Sequence, residues 1–366
     1  MTCGARALIL PDALRHNLAV IRRRAPGCRV MAAVKGNAYG HGLVLAAREL
    51  ESADSLAVAR LSEAASLRRA GISSAIVLLA GPMDDGELNE AARLDLEIVV
   101  HSPAQLPLLE NAAPQSLVVW LKLDTGMHRL GFPADESAGL IARLRTIDAI
   151  RELRLMTHLA TADEPGQPQT AVQVAAFRDI CTGFDGAVSI ANSPALFAVE
   201  GANEDRSFWG HRGDTWVRPG LALYGISPFT EGYGADLGLK AVMQFETRLV
   251  DVKAIRAGER VGYGGRWTAT QDTCIGIIAA GYGDGYTRFL PSGTPVLINE
   301  RRVPLAGVVS MDLAAVDLGP AARDKVGDRV VLWGRSLPVE DIARAAGTIP
   351  YQLVTGVLHR EALQSG

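Results

Sequence analysis

Segments of strand length alternate with segments of helical period eight times between residue 30 and about residue 226. Amphipathic stretches such as Leu61–Ala70, with apolar residues three and four positions apart, separate the strands. This alternation predicts a parallel sheet, and eight units favour a closed (β/α)8 barrel over an open doubly wound sheet. The eight candidate strands are Val30–Lys35, Ser55–Ala59, Ala75–Ala80, Leu96–His101, Val118–Asp124, Leu153–Leu159, Ala187–Ser193 and Trp216–Gly225.

The pattern changes after Gly225, where helical period nearly disappears and glycine turns separate short strands. The polar, glycine-rich segment Thr230–Gly238 is the predicted linker, so we expect a barrel domain over residues 1–230 and a β-strand domain over residues 231–366. The polar segment 200–214 is expected to be a long loop before the eighth strand. The elements predicted for the second domain are Met243–Ile255, Cys274–Ala280, Pro295–Asn299, Pro304–Leu318, Arg329–Trp333 and a helix over Val339–Ala346.

Composition limits the environment and the partners of the chain. Hydrophobic residues make up 48% of 366 residues, which excludes a largely disordered chain. Lys and Arg number 37 against 40 Asp and Glu, and the net charge of -3 gives no footprint for nucleic acid or an anionic membrane. The four cysteines are far apart, and neither a membrane span of roughly 20 apolar residues nor a signal-peptide pattern is present. We therefore expect a cytoplasmic protein with reduced thiols and no metal site.

Polar residues cluster at or near the carboxyl ends of the predicted barrel strands. Lysine at the end of a buried strand is unusual, because its amine is almost never fully buried without a partner. Any one of these residues could cap its strand in solvent, but together they indicate an active site, since barrel enzymes assemble their sites at this end. The residues are Lys35, Lys122, Asp124, His158, Ser193 and Arg218.

Strands seven and eight suggest the ligand, because the loops that follow them often bind phosphate in barrel enzymes. Ser193 offers a hydroxyl there, and Gly220 and Leu221 offer backbone without a bulky side chain in the way. A phosphate opposite the amine of Lys35 favours pyridoxal phosphate, whose aldehyde forms a Schiff base with a lysine.

The segment Ala33–Gly42 closely resembles the pyridoxal phosphate attachment motif of bacterial alanine racemases, which are fold type III enzymes. Eight such motifs in family order, spread over nearly the whole chain, are far more specific than one. The other seven are Leu121–Gly131, Met156–Ala160, Ala191–Ser193, Val217–Gly220, Gly281–Tyr286, Val309–Asp312 and Ile349–Tyr351.

The resemblance implies a homodimeric alanine racemase that interconverts L-alanine and D-alanine by a two-base mechanism. Lys35 would hold the cofactor and act as one acid–base group, and Tyr282 would act as the other from the opposite face. Tyr282 would reach the active site of the neighbouring subunit, so that each site is complete only in the dimer. The product would supply cell-wall synthesis, or the enzyme would degrade D-alanine.

The resemblance also assigns the remaining site residues. Arg218 would donate a hydrogen bond to the pyridine nitrogen and leave it unprotonated, with Ser189 in a position where some members carry a supporting histidine. Lys122 matches a lysine that is carbamylated in some members and orients Arg129; a plain lysine paired with Asp124 is the alternative. The remaining cofactor contacts would be Tyr39, His158, Ser193, Gly220, Leu221 and Tyr351, and Arg129 and Met311 would bind substrate, with Lys122 and Asp312 in support.

Three other functions stay open. A broader racemase would act on serine or other small amino acids, although Tyr282, Tyr351 and Met311 near the substrate favour a small side chain. A non-catalytic pyridoxal phosphate carrier would resemble the barrel alone, whereas the motifs here extend into the second domain. In a cofactor-free barrel hydrolase, Lys35 would be merely structural.

Overall fold

The structure is a computed structural model that describes residues 4–198, 213–358 and 360–362. Its strands are β1 (Arg6–Ile9), β2 (Arg29–Ala33), β3 (Ser55–Val58), β4 (Ile76–Leu78), β5 (Leu96–Val100), β6 (Leu117–Asp124), β7 (Phe132–Pro133), β8 (Ile150–Met156), β9 (Val188–Asn192), β10 (Thr215–Arg218), β11 (Met243–Ile255), β12 (Arg260–Val261), β13 (Trp267–Thr268), β14 (Thr273–Ile278), β15 (Pro295–Ile298), β16 (Arg301–Pro304), β17 (Ala314–Gly319), β18 (Arg329–Trp333) and β19 (Arg360–Ala362). The helical segments are α1 (Pro11–Arg24), α2 (Lys35–Tyr39), α3 (Leu43–Glu49), α4 (Leu61–Arg69), α5 (Asp85–Arg93), α6 (Leu106–Glu110), α7 (Ser137–Leu144), α8 (Pro168–Cys181), α9 (Ser193–Ala198), α10 (Val339–Ala345) and α11 (Pro350–Gly356).

Eight parallel strands close into a barrel, as the sequence predicts. The ring runs β2, β3, β4, β5, β6, β8, β9 and β10, and the pairing of β10 with β2 closes it. Val217 lies opposite Val30 at that closure. The two-residue strand β7 extends the sheet beside the end of β6. Closure confirms the (β/α)8 barrel and excludes the open doubly wound sheet.

Side chains from all eight barrel segments fill the interior, and none of them is more than 6% exposed. Trp120 and Trp216 meet edge to face with ring centroids 5.7 Å apart, so two aromatic side chains fill a large part of this layer. The Arg154 guanidinium lies 5.2 and 5.3 Å from these two rings and pairs with Glu97 and Glu152. The interior residues are Met31, Ala57, Val77, Val99, Trp120, Met156, Ala187 and Trp216.

Arg154 and Glu97 lie two residues before the interior residues Met156 and Val99 on the same strands. Because side chains alternate along a strand with a period of two, this ion pair forms a layer nearer the amino-terminal end of the barrel. The opposite, carboxyl-terminal end is therefore the end left for a ligand.

The C-terminal part of the chain is a mostly antiparallel β domain, as expected. Its main sheet runs β16, β15, β18, β11, β1 and β19, with β14 pairing to both β11 and β17. The single strand predicted over Pro304–Leu318 is wrong, since the chain leaves β16 at Pro304 and re-enters the sheet at β17. A turn separates the two strands, and in it the Ser310 amide donates to the Leu313 carbonyl at 2.8 Å. This break places Met311 at an exposed tip instead of in a strand.

The first strand, β1, belongs to the sheet of the C-terminal domain and was not predicted. Ala7 pairs with Phe245 of β11 in antiparallel register and with Arg360 of β19 in parallel register. In the predicted linker, the amide of Gly234 donates to the carboxylate of buried Glu340 at 3.0 Å. The linker segment is thus packed against the β domain, and the domain division at residues 230 and 231 stays a prediction.

The long loop predicted over residues 200–214 lies outside the described residues, except for its last two positions. In the described ranges, no helix is long and apolar enough to span a membrane. The same ranges contain no group of three or more His, Cys, Asp or Glu residues arranged to hold a metal ion.

The chain packs tightly at Gly225, just after the barrel, against the segment that leads into the β domain. Its φ of +77° favours glycine, and a Cβ atom there would lie 1.8 Å from the Lys240 carbonyl oxygen. Gly71 has nearly the same φ, +80°, with no atom within 4 Å of a built Cβ. We expect Gly71→Ala to cost about 1 kcal/mol in the free energy of unfolding, from backbone strain alone, and Gly225→Ala at least about 2 kcal/mol more. Urea unfolding followed by circular dichroism measures both losses, and equal losses would contradict the packing argument.

Candidate active site

Lys35 begins a left-handed turn directly after barrel strand β2. The φ angles from Gly36 to Tyr39 are +63°, +55°, +55° and +52°, and three of these four residues are not glycine. Each non-glycine residue costs about 1–2 kcal/mol in this conformation, so the surrounding structure has to hold the turn in place. The Ala38 amide donates to the Val34 carbonyl at 2.7 Å, which closes the turn on the end of the strand.

Aromatic rings from both domains pack against this turn. The ring of Tyr39 stacks on Tyr224 at 4.9 Å and lies 5.8 Å from the ring of Tyr351, which is on α11 of the β domain. The Tyr224 hydroxyl donates to the Ala33 carbonyl at 2.9 Å. Burial raises the pKa of Tyr351 to about 12 and raises the pKa of Tyr39 as well. Both phenols therefore keep their protons at neutral pH and are able to donate hydrogen bonds to an anion.

Several cationic groups gather at the carboxyl end of the barrel. Burial, together with the charges of Arg129 and Arg218, lowers the pKa of Lys35, although the carboxylate of Glu63 opposes this. Burial followed by the charges of Arg218, Arg129 and Lys35 lowers the pKa of Lys122 to about 8. The effect of each group on the others places them in one site with an excess of positive charge. Such a site is complementary to an anionic ligand.

Asp124, the predicted alternative partner of Lys122, is directed elsewhere. Its Oδ1 atom accepts the backbone amides of Gly126, Met127 and His128 at 2.9–3.1 Å. Within the described residues, Lys122 forms no ion pair with it. The carboxylate thus organises the loop after β6 and acts on Lys122 through its charge alone, which opposes the lowering of the lysine pKa.

Arg218 is buried at the end of β10, held by neutral groups. It donates to the Ser189 hydroxyl at 2.5 Å and to the carbonyl of Thr157, and its nearest approach to the Nδ1 atom of His158 is 3.4 Å. Burial lowers the pKa of Arg218 to about 10, so it stays protonated at neutral pH. Burial and then the charge of Arg218 hold the pKa of His158 well below its usual range. The arrangement is a fixed donor beside a neutral imidazole.

Ser193 and Gly220 form a cradle between the ends of β9 and β10. The Ser193 hydroxyl accepts the Gly220 amide at 2.8 Å and the Ala222 amide at 3.4 Å. A Cβ atom at position 220 would lie 2.4 Å from the hydroxyl oxygen of Tyr39, so only glycine lets these groups converge. Backbone amides and hydroxyls in this arrangement suit a phosphate without a cluster of lysines.

The other predicted site residues lie apart from this group, on the β domain. The Tyr282 amide donates to Ser310 at 3.0 Å and the Gly283 amide donates to Met311 at 2.8 Å, so Tyr282, Met311 and the adjacent Asp312 form one cluster. Tyr282 is 41% exposed and Met311 is 55% exposed. Within the described part of the chain, no hydrogen bond or ring contact joins this cluster to Lys35 or Arg218.

A second tyrosine of this domain was missed in the sequence. Tyr263 lies between β12 and β13, a two-stranded hairpin separate from the main sheet, and is 68% exposed. The available signal was a Gly-Tyr-Gly triplet, which occurs at Tyr233, Tyr263 and Tyr282. The structure distinguishes Tyr233 from the other two, because its hydroxyl is engaged: it donates to Asp341 at 2.9 Å. Across the described ranges, the hydroxyls of the other two have no hydrogen-bond partner.

Comparisons with known proteins cover both halves of the chain. Residues 9–228 match the family described as alanine racemase, N-terminal domain, and residues 242–363 match alanine racemase, C-terminal domain. The chain belongs to the alanine racemase family. An alanine racemase of Aeromonas hydrophila is 48% identical over 359 residues, which cover 98% of each chain.

Solved structures of the alanine racemase family share this fold along the whole chain. A biosynthetic alanine racemase from Pseudomonas aeruginosa superposes with a TM-score of 0.91 at 40% identity, over 99% of this chain and 100% of the other. An alanine racemase from Bartonella henselae with covalently bound pyridoxal phosphate superposes with a TM-score of 0.84 at 26% identity, over the same shares of the two chains. The family and the barrel-plus-β-domain fold that the sequence motifs predict are thereby confirmed.

The lowered pKa of Lys122 predicts a pH dependence of stability in the cofactor-free protein. Between about pH 8 and the ordinary lysine pKa of 10.5, the unfolded chain retains a proton that the folded chain has released. The free energy of unfolding therefore rises with pH across this window, by up to about 3 kcal/mol from this residue. Lys122→Gln should flatten the rise, as measured by urea unfolding at several pH values. Lys253→Gln, at a half-exposed lysine of the β domain, is the control and should keep the wild-type slope.

Proposed function

We propose that this chain interconverts L-alanine and D-alanine with pyridoxal 5'-phosphate as its cofactor. The observation that carries the proposal is the convergence, at one barrel end, of a half-buried lysine, a buried arginine and a cradle suited to phosphate. Similarity to alanine racemases over both domains supports the same substrate, and the Bartonella henselae structure supports the same cofactor. The product would serve cell-wall synthesis, or the reaction would remove D-alanine.

The residues present fit this cofactor. Gly220 lets the Tyr39 hydroxyl lie close to the backbone after β10, where it is placed to contact the phosphate, and the excess of positive charge suits the anionic groups of the cofactor. Lys35 would hold the cofactor, Arg218 would donate to its ring nitrogen beside His158, and the phosphate would contact Tyr39, Ser193, Tyr351 and the backbone of Gly220 and Leu221. When bound, pyridoxal phosphate withdraws electrons from the α-carbon of an attached amino acid and weakens its C–H bond.

Lys35 would move the proton on one face of the substrate. Because burial and the neighbouring cations lower its pKa, a larger fraction of its amine is neutral and able to accept a proton near neutral pH. Arg218 keeps its own proton and cannot transfer it to the ring nitrogen. Electron withdrawal is therefore weaker than with a protonated ring, which suits proton exchange and limits side reactions.

Arg129 would bind the substrate carboxylate, with Lys122 in support. A lysine with a pKa of about 8 is partly neutral under mild conditions. Its nitrogen could then form a bond to the carbon of CO₂ with loss of a proton, which converts a cation into a carbamate anion. The anion would pair with Arg129 and reduce the repulsion among the cations. The lack of a direct ion pair between Lys122 and Asp124 in the described residues supports this modification over the plain lysine pair.

A second acid–base group must act on the opposite face, and we infer that a tyrosine of the partner subunit's β domain supplies it. Tyr282 is the residue that the sequence motifs predict, and Tyr263 is a second candidate. A side chain that enters another subunit has to project from its own domain, and the greater exposure of Tyr263 supports it over Tyr282. Exposed Phe289, Met311 and Leu313 on the same domain support a covered face and hence a homodimer.

The same features of the chain distinguish the alternative functions. A cofactor carrier needs only the barrel, whereas the family match includes residues 242–363. A cofactor-free hydrolase would not need a phosphate-binding cradle opposite Lys35. A broader racemase stays open, because one methylene in an apolar pocket changes selectivity by only about 10–200-fold.

Removal of Lys35 tests the cofactor and the reaction together. We expect the purified protein to bind pyridoxal phosphate with a visible absorption band, to racemise alanine and to exchange its α-hydrogen with solvent deuterium. Lys35→Ala should lose that band and lower the rate of racemisation about 10²–10⁴-fold, because a positioned acid–base group is removed. Lys253→Ala is the surface control. Racemisation that survives Lys35→Ala would contradict the assignment, and a panel that includes serine would measure the substrate range.

The two tyrosines can be separated by their effect on each direction of the reaction. We expect Tyr263→Phe to slow α-hydrogen abstraction about 10²-fold or more from one enantiomer of alanine, because the base on that face is lost. Tyr282→Phe should then have a smaller effect that is similar from both enantiomers. Deuterium incorporation into L-alanine and D-alanine under single-turnover conditions measures both variants. The reverse pattern would return the role to Tyr282, and mild, equal effects of both would refute a two-base mechanism.

A further inference from the structure

Glu63 accepts hydrogen bonds from backbone amides in two separate segments. Its Oε2 atom accepts the amides of Ala59 and Arg60 at 3.0 and 3.2 Å, at the junction of β3 and α4. Its Oε1 atom accepts the amides of Gly36 and Asn37 at 2.7 and 3.3 Å. One carboxylate therefore joins the second strand-helix unit of the barrel to the turn that carries Lys35.

The first pair of these bonds is an ordinary helix cap, as the neighbouring units show. The residue three positions into a helix makes this pair of bonds at Glu63 and at Gln105, while Glu87 at the start of α5 accepts one amide, that of Met83, at 2.9 Å. Gln105 accepts the amides of His101 and Ser102 at 2.8 and 3.1 Å through its Oε1 atom alone. A neutral side chain with one oxygen is thus sufficient for the cap, and the second, charged oxygen of Glu63 serves the other segment.

That other segment is the strained part of the active site. Gly36 and Asn37 directly follow Lys35 and are the first two residues of the left-handed run. In the described ranges, Glu63 is the one acceptor for their amides. The carboxylate holds the turn from outside, while the Asn37 side chain accepts the Leu43 amide at 2.8 Å on the far side.

Glu63 also contributes charge where negative charge is scarce. Arg129 and Arg218 lower the pKa of Lys35 after burial does so, whereas Glu63 raises it. Lys122 lies in the same group of cations. Loss of the Glu63 carboxylate should therefore lower the proton affinity of Lys35 further.

We propose that Glu63 is a positioning residue for Lys35: it holds the left-handed turn through two amides and supplies negative charge that acts on the acid–base lysine. This proposal rests on the proposed function, in which Lys35 moves the α-proton. It predicts effects on the lysine and its turn that a cap alone does not produce.

The test compares Glu63→Gln and Glu63→Asp with Glu87→Gln, which changes the glutamate at the corresponding helix position of the next unit. Glutamine offers one oxygen, and its amide group opposes the second pair of N–H donors. Aspartate keeps the charge but is too short to span both segments. Hydrogen exchange of peptides that cover residues 36–42, and the pH dependence of Lys35 acetylation by acetic anhydride, are measured by mass spectrometry in the cofactor-free protein. Racemisation by the cofactor-loaded protein is measured separately.

For Glu63→Gln we expect exchange in the turn to accelerate about tenfold or more, because two amides lose an acceptor. The pH midpoint of Lys35 acetylation should fall, and kcat for alanine should drop about tenfold with KM changed less than about threefold. Glu63→Asp should accelerate exchange with a smaller shift of the midpoint. Glu87→Gln should leave all three readouts at the wild-type values.

Wild-type exchange and an unchanged acetylation midpoint in Glu63→Gln would overturn the proposal, as would equal effects in Glu87→Gln. If the wild-type protein does not racemise alanine, the proposed function fails. The exchange and acetylation results still decide the role of Glu63 in that case, because neither needs the cofactor.

Discussion

Repulsion among cationic side chains at the carboxyl end of the barrel is the constraint on which the site depends. Lys35, Lys122, Arg129 and Arg218 each lower the proton affinity of a neighbour, and carboxylates with direct influence are few. Such a group is unfavourable out of water unless rigid elements hold it and an anion neutralises it. The closed barrel, with its tryptophan layer beneath, supplies the rigidity, and a phosphate and a carboxylate would supply the negative charge.

Much of the fold could be predicted from the sequence, because strand ends and helical period are local properties. Each of the eight predicted strands overlaps a barrel strand. Two predictions run too far: the sixth, over Leu153–Leu159, ends at Met156, and the eighth, over Trp216–Gly225, ends at Arg218, because Pro219 has no amide to extend the pairing and a helical turn follows over Leu221–Tyr224. Closure was predicted only from the count of eight units, because the pairing that produces it joins β10 and β2, which lie more than 180 residues apart. The strand predicted over Pro304–Leu318 failed because an apolar run does not reveal the turn at Ser310. β1 was missed because its partners are distant in the chain.

The residues of the candidate site also fall into those that the sequence reveals and those that it does not. Residues at strand ends, such as Lys35 and Arg218, could be found because parallel strands bring their carboxyl ends together. Tyr263 could not be distinguished from Tyr282 by its glycine neighbours, since projection from a domain is a three-dimensional property. Glu63 gave no signal at all, because a capping glutamate is ordinary at that helix position and its second contact joins two separate strand-helix units.

The pairing of β1 with β11 and β19 has a consequence for the order in which the molecule assembles. Residues 6–9 are synthesised well before residues 243–255, their antiparallel partners. At about 5–20 residues per second, that strand waits roughly 12–50 seconds with its edge unpaired. The barrel has time to close in this interval, but the β domain does not have its full sheet until both distant parts of the chain meet. The sheet of the β domain is therefore complete only after the beginning of the chain has paired with its end, and α11, whose Tyr351 packs against Tyr39 in the turn of Lys35, precedes that last strand in the chain.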